Sequence, residues 1–231
     1  MADTERLSRR ALVEKAVEVA DSESLDAVTV RRLAQELGVT PMALYWHVKN
    51  KDQLLACLSD HLLAEVTPEF DPAAPWNLRL RAMVEALVGV MRRHRFMPQL
   101  FALVKEEEVP SFTRATEAAL DLLSLAGFTL SEGWAVSHYL LQGAIALVGG
   151  EPGCPRTLTA AQAAEWRRQK RLALERLPAD EFPRMVEFAK LMENETDVEA
   201  YYTFGLDLLM GGVETMAARK SRGGATGDAA S

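Results

Sequence analysis

The stretch that decides the fold is TVRRLAQELGVTPMALYWHVKNK, residues 29–51. Thr29 stands where a helix N-cap belongs, and apolar residues follow it at helical spacing. Gly38 can adopt the left-handed conformation that ends a first helix without a steric penalty. Thr40 can then cap a second helix, with Pro41 in its first turn, where no backbone donor is missed. The pattern therefore predicts two short helices joined by a tight turn.

The second of these helices has an unusual outward face. It is aromatic and cationic, whereas a solvated helix face normally carries Glu and Lys, and it comprises Pro41, Met42, Tyr45, Trp46, His47, Lys49 and Lys51. Such side chains suit phosphates and base edges. A helix-turn-helix places its second helix in the major groove of DNA, so this face predicts DNA binding. An ordinary helical hairpin is the alternative interpretation, and the helix pattern by itself does not distinguish the two.

Two segments carry a resemblance to a known family. Residues 29–51 resemble the N-terminal domain of TetR-family repressors, and LYWHVKNKDQLL, residues 44–55, is very similar to the end of the recognition helix in the tetracycline repressors. YYTFGLDLLMGGVE, residues 201–214, resembles the closing helix of their C-terminal domain. The resemblance implies a dimeric regulator whose DNA binding responds to a small molecule held among C-terminal helices.

Helical periodicity runs through the rest of the chain, and no convincing alternating strand interrupts it. We therefore predict an all-α protein with an N-terminal three-helix helix-turn-helix domain and a larger helical ligand-binding and dimerisation domain. The first domain, with a connecting fourth helix, spans residues 1–67, and the proline-rich segment after it marks the boundary. The second domain spans residues 76–219, and a low-complexity tail, residues 220–231, is expected to be disordered.

Two C-terminal helices, beginning at Ser131 and Val198, are apolar on more than one face. One interpretation is that both are buried within one chain. The other, which we favour, is that they also meet their copies across a two-fold axis as a four-helix bundle. A helix-turn-helix of this size normally reads a palindrome as a dimer, so a homodimer on double-stranded operator DNA is expected.

The candidate DNA contacts divide by chemistry. The family resemblance implies that Arg31 reaches a base, for which guanine is the best partner, whereas Arg32 is expected to contact a phosphate or form a salt bridge. Arg9 and Arg10 are either solvated or in contact with phosphate. Trp46 could lie on the outward face or pack under the second helix as part of the core, and the core is the favoured position. Phosphate contacts are expected from Thr40, Tyr45, His47 and Lys51, and contacts with thymine methyl groups from Pro41, Met42 and Ala43.

A ligand pocket is predicted less directly. Trp134, His138 and Gln142 follow at four-residue spacing and share a helix face. The neighbouring helices supply His94, Met97, Phe101 and Phe112. Such a set suits a mostly apolar ligand with a few polar handles, although each residue could equally belong to an ordinary core. Ligand binding is expected to tilt the fourth helix and move the recognition helices off the operator.

Composition narrows the remaining possibilities. The 231 residues carry a net charge of −7, so DNA binding would depend on local clustering of cations. The two cysteines and four histidines show no zinc spacing, and no nucleophile–base pair or phosphate loop is evident. We therefore expect no enzyme, cofactor or metal site. No signal peptide or membrane-spanning run is visible, which favours a bacterial cytoplasmic protein without a membrane partner.

The tetracycline repressors bind their ligand with magnesium, and the resemblance implies which positions would have to supply histidines. The best-matching positions here are Phe101 and Thr67. Tetracycline with magnesium is therefore not the expected effector. A repressor released by another, mostly apolar ligand is the favoured function, and an activator or a regulator without a small-molecule ligand is the alternative.

Overall fold

The computed structural model describes residues 8–152, 159–192 and 197–227, and most of the backbone in these ranges is helical. No strand occurs among the described residues. The helices are α1 Arg9–Ser22, α2 Val30–Glu36, α3 Pro41–Tyr45, α4 Lys51–Ala64, α5 Trp76–Arg93, α6 Met97–Phe101, α7 Pro110–Leu125, α8 Leu130–Gly149, α9 Ala160–Glu175, α10 Pro183–Leu191 and α11 Val198–Gly227. The predicted all-α class is confirmed.

The described residues fall into two compact units. One lies within Met1–Gly149 and Leu206–Ser231, and the other within Gly150–Gly205. The predicted division at residues 67–76 follows sequence rather than packing, because α4 and the helices after it belong to the same unit as α1. The division into a DNA-binding domain and a ligand-binding domain therefore stays a prediction.

Helices α1 to α3 each begin at a residue whose side chain caps the helix. The Ser8 hydroxyl accepts a hydrogen bond from the amide of Ala11, and the Thr29 hydroxyl accepts one from the amide of Arg32, both at 3.1 Å. Gly38 has φ of 65°, the left-handed conformation that ends α2. Beneath these helices lies a core of fully buried side chains, which includes Leu12, Ala16, Leu33, Leu44, Val48, Leu54 and Leu58.

Helix α4 connects this core to the helices that follow. Asn50 Oδ1 accepts a hydrogen bond from the Gln53 amide at 2.8 Å, and Gln53 Oε1 accepts one from the Lys49 amide at 2.7 Å. The first half of α4 packs against α1, and later turns pack against α5 and α7. Asp60 Oδ1 accepts a hydrogen bond from the backbone amide of Ser111 at 2.7 Å, so α4 supplies a capping group for α7.

Helices α5, α7 and α8 pack together as the centre of the larger helical part, with Leu80, Met91 and Leu123 fully buried. Gly127, with φ of 84°, ends α7, and Thr129 caps α8 by exchanging hydrogen bonds with Glu132. The segment of α11 after Leu206 joins α5 and α8 through pairs such as Arg81–Asp207 at 2.7 Å and Glu132–Lys220 at 2.7 Å.

The second compact unit is built on a helical pair. Helix α9 begins with a reciprocal capping box between Thr159 and Gln162. It packs against α10, and Ala163 and Ala189 are buried. Tyr202 donates a hydrogen bond from its hydroxyl to Glu151 at 2.6 Å.

The ends of the chain differ in part from expectation. Helix α11 continues to Gly227 and so includes the first part of the segment predicted to be disordered, residues 220–231. Lys220, at the start of that segment, pairs with Glu132 of α8 at 2.7 Å, which holds this part of α11 against its neighbour. The end of that tail, the N-terminal arm and most of the loop near residue 154 lie outside the described residues. No described helix is long and apolar enough to cross a membrane.

Candidate nucleic-acid interface and adjoining cavity

The recognition helix α3 is anchored by one face and open on the other. Leu44 and Val48 are completely buried. On the opposite side Met42 is 71% exposed, Tyr45 is 48% exposed and Trp46 is 87% exposed. The face therefore presents large side chains to the surroundings, as the DNA-binding interpretation requires.

The expectation that Trp46 packs in the core is wrong. Leu44 and Val48 already fill the inward positions on either side of it, and Trp46 points away from both. Trp46 also follows the last residue of α3, which ends at Tyr45. An indole exposed to this degree can lie against sugar and base edges, so Trp46 joins the candidate interface.

The other predicted DNA contacts differ in their exposure. Arg31, Thr40, Pro41, Met42, Tyr45 and Lys51 are exposed, whereas Ala43 and His47 are half-buried. Arg31, Lys49 and Lys51 form no ion pair within the described chain, so their charges are available to a polyanion. The chain is acidic overall, yet its recognition surface carries these three cations.

Arg32 is held differently. Its guanidinium lies 2.7 Å from Glu23 and 2.9 Å from Glu36. Of the two roles expected for Arg32, the salt bridge is the one that the structure contains. A phosphate contact by Arg32 would have to compete with these two carboxylates.

The two arginines at the start of α1 also have different partners. Arg10 forms an exposed ion pair with Glu14 at 2.7 Å. Arg9 instead donates a hydrogen bond from Nη2 to the backbone carbonyl of His47 at 3.2 Å, immediately after α3. Arg9 therefore lies beside the candidate interface, a position that its place in the sequence left open.

A cavity of about 480 Å³ lies further along the same compact unit. Its wall comes from the last turn of α4, the segment after it, and helices α5, α7 and α8. The apolar lining includes Leu63, Val66, Phe70, Leu80, Met83, Val84, Leu87, Phe112, Ala115, Trp134, Leu140 and Leu141. Polar groups are fewer, and they include Glu106, Arg114, Ser137 and His138. The Arg114 guanidinium is oriented by a 2.8 Å hydrogen bond to the Ser111 hydroxyl.

The cavity brings together only part of the predicted ligand set. Phe112, Trp134 and His138 line it. Gln142 does not, and it is exposed. The physical reason is helix geometry: two four-residue steps from Trp134 rotate a side chain by roughly 80° past its starting direction. Leu141 takes the position on the cavity side instead.

His94, Met97 and Phe101 were also predicted to line the pocket and do not line it, for reasons other than helix rotation. His94 follows α5, where its Nδ1 lies 2.8 Å from Asp21 of α1 and its Nε2 lies 3.6 Å from Glu65. Met97 is completely buried in the core. Phe101 is half-buried at the end of α6, away from the cavity lining. The cavity lining has no residue between Leu87 and Glu106, so the segment that carries all three residues does not contribute to it.

Several lining residues were missed by sequence reasoning. One group lies on α5, where Leu80, Val84 and Leu87 recur at helical spacing. That spacing was visible, but it is the same for a core stripe and for a cavity wall. Phe70 and Pro68 come from the segment that we took for a simple boundary, and nothing in their sequence indicated a wall.

Groups of acidic, histidine and cysteine side chains that could hold a metal ion are absent from the described part of the chain. Cys57 is a free, half-buried thiol on α4.

Family models match both parts of the chain. The model described as "Bacterial regulatory proteins, tetR family" matches residues 12–58, and "Tetracyclin repressor-like, C-terminal domain" matches residues 67–217. The chain belongs to the TetR family of bacterial transcriptional regulators. The resemblance in residues 29–51 and 201–214 is thereby confirmed. TetR-family proteins are DNA-binding regulators rather than enzymes, and this regulator's matches include no catalytic family.

Individual relatives place the regulator within the family. The class D tetracycline repressor of Escherichia coli is 33% identical over 142 residues, covering 59% of this chain and 64% of the relative. The chain thus spans less than two thirds of that repressor's length. The HTH-type transcriptional repressor DrrR1 of Streptomyces coeruleorubidus is 29% identical over 226 residues, covering 90% of this chain and 78% of the relative.

Among solved structures, the TetR family protein ActR of Streptomyces coelicolor in complex with actinorhodin is similar in fold. It superposes with a TM-score of 0.76 at 26% identity, covering 91% of this chain and 98% of that chain.

Proposed function

We propose that this regulator is a dimeric repressor that binds a palindromic operator and leaves it when a small, mostly apolar molecule occupies the cavity. One observation carries the proposal: a single helix, α4, contributes both to the core beneath the recognition helix and to the cavity wall. Leu54 and Leu58 are buried in that core, whereas Leu63 and Ala64 line the cavity.

DNA binding is supported by the open face of α3 and by its cations. Arg31 is exposed at the first turn of α2, where Arg suits the O6 and N7 acceptors of guanine. Lys51 is exposed at the first turn of α4, beside free backbone amides that favour a phosphate. The remaining proposed contacts are those of the exposed face described above.

The proposed switch follows from how α4 is held. A ligand that contacts Leu63 and Ala64 pushes directly on the last turn of α4. The Asp60–Ser111 hydrogen bond links the same part of α4 to α7, which supplies Phe112 and Ala115 to the cavity. Movement of either wall is therefore transmitted to the helix that supports α3. A ligand acts in this way only if it prefers the arrangement that does not fit DNA.

The lining supports a planar or compact apolar ligand with one or two polar groups. The apolar wall gives most of the contact area, and His138 and Arg114 give the polar handles. ActR shares the fold, and its solved complex with actinorhodin is compatible with a small-molecule ligand in this regulator.

Dimerisation is supported by apolar side chains that remain exposed on α8 and α11. Leu130 and Tyr139 of α8 are more than 70% exposed, and Leu208 of α11 is 63% exposed. The two helices already approach closely, because a Cβ at Gly143 would lie 2.4 Å from the Leu209 side chain. A second copy of the same pair would cover these residues as a four-helix bundle.

The proposal is tested in three steps on the full-length protein. Light scattering should give twice the chain mass, and selection from random duplexes should return an inverted repeat. A reporter placed behind that repeat should be silenced by the protein. Planar aromatic compounds, beginning with anthraquinone-2-carboxylate, are then screened for a rise in Tm and for release of the repeat. A monomer, or a reporter that is activated, would contradict the proposal.

A further inference from the structure

Helix α3 is too short to provide hydrogen-bond donors for the carbonyls at its own carboxyl end. It has only five residues, Pro41–Tyr45, and the last carbonyls of any helix lack partners within the helix. The amides of His47 and Val48 both bond to the Leu44 carbonyl, which closes the last turn. The His47 carbonyl lies two residues beyond the end of α3, and its hydrogen-bond donor comes from another part of the chain.

That donor comes from α1. Arg9 Nη2 lies 3.2 Å from the His47 carbonyl oxygen, across 38 residues of sequence. A cation is favoured at the carboxyl end of a helix, and a guanidinium offers several donors in a fixed plane. The contact therefore joins the start of α1 to the end of the recognition segment.

The Arg9 guanidinium also lies near Cys57 of α4. Burial raises the pKa of the Cys57 thiol on α4, and the positive charge of Arg9 opposes that rise. Arg9 thus lies close enough to α4 for its charge to act on Cys57, as well as touching the end of α3. One side chain stands where α1, α3 and α4 meet.

We propose that Arg9 is a positioning residue, which fixes the carboxyl end of α3 so that Tyr45, Trp46 and His47 meet one operator sequence in register. The inference rests on the proposed DNA binding. It assigns the Arg9 charge to a backbone carbonyl of the protein rather than to a DNA phosphate. Leu44 and Val48 anchor α3 but leave it free to tilt about that anchor, and the Arg9 hydrogen bond restrains the tilt.

The neighbouring arginine provides a matched control. Arg10 is exposed on the same turn, carries the same charge and pairs with Glu14 of its own helix. Loss of Arg10 changes the net charge as loss of Arg9 does, but it leaves the His47 carbonyl bonded.

The experiment compares full-length wild type with R9M, R9K and R10M, on the selected operator and on a random duplex of equal length. R9M should weaken operator binding about tenfold, while its affinity for the random duplex and the slope of log K against log salt stay at wild-type values. R9K should recover only part of the loss, because an ammonium lacks the planar fork. R10M should match wild type on both duplexes.

Two results would overturn the inference. If R9M weakens both duplexes equally and lowers the salt slope by about 0.9, Arg9 is a phosphate contact. If R9M binds the operator like wild type, Arg9 positions nothing.

Hydrogen exchange on DNA-free protein separates this inference from the proposed function. Residues 41–48 should exchange faster in R9M than in wild type or R10M, and unchanged exchange would refute the inference even if DNA binds. A wild-type protein that binds neither duplex refutes the proposed function and the inference built on it.

Discussion

The helices of the helix-turn-helix and the helices around the cavity follow from the sequence in different ways. Around α2 and α3 the caps Thr29, Thr40 and Asn50 each bond the amide that their position predicts. Around the cavity, by contrast, only Phe112, Trp134 and His138 of the predicted lining face the empty space. Local rules decide the first region, whereas the rotation of whole helices decides the second. A short motif is thus readable from sequence where a cavity is not.

The largest expected effect lies in the motif, at Leu44. Leu44→Ala removes a completely buried side chain from the core beneath α3 and should destabilise the protein by about 2–5 kcal/mol. Urea unfolding measures the loss. Met42→Ala, on the exposed face of the same helix, should stay within about 0.5 kcal/mol of wild type while weakening operator binding. Equal destabilisation by both changes would show that α3 is not anchored by one face.

A substitution in the cavity lining should reduce ligand binding without reducing DNA binding. Ala115→Phe fills space beside Phe112, so binding of the fluorescent probe 8-anilinonaphthalene-1-sulfonate should fall about tenfold, roughly 1.4 kcal/mol, while operator affinity is kept. Thr113→Phe adds the same ring to an exposed position of α7 outside the lining and should change neither. Titrations of probe and operator give both values. An unchanged probe affinity in Ala115→Phe would place the probe elsewhere.

Within the interface, Arg31 and Lys51 should differ in kind. Arg31→Ala should cost about 1–3 kcal/mol at one base position and leave other positions alone. Lys51→Ala should weaken all duplexes and lower the salt slope by about 0.9. Binding to operators altered one base pair at a time, at several salt concentrations, separates the two. The same loss on operator and random DNA for both variants would contradict the division.

The smallest effect concerns the Glu132–Lys220 pair. The Lys220 ammonium, with help from Thr129, lowers the pKa of Glu132 from 4.5 to about 2. Because the folded pKa is depressed, the stabilisation is present above pH 4.5 and is lost as pH falls toward 2. The Tm of E132Q should therefore lie below that of wild type at pH 6, and the gap should narrow steadily as the pH falls from 4.5 toward 2. A gap that widens in acid would contradict the pairing.

Particular residues show how far the sequence could go. The all-α fold and the helix-turn-helix followed from caps, Gly38 and helical spacing. Trp46 was misplaced because an aromatic side chain near a short helix fits a core and a groove equally well, and only the positions of Leu44 and Val48 decide. His94 was misplaced because its partner Asp21 lies 73 residues away, a distance that no periodicity reports.

The hydrogen bond from the Ser111 amide to Asp60 has a practical consequence for building hybrid regulators. A DNA-binding domain excised at residue 67 would take Asp60 with it. The Ser111 amide in the first turn of α7 would then lose its acceptor, and Leu62 and Leu63 would become exposed. A graft that ends before Asn50 keeps α4 together with the helices that follow it. The side chains of α4 that face α1 then have to be matched to the new domain.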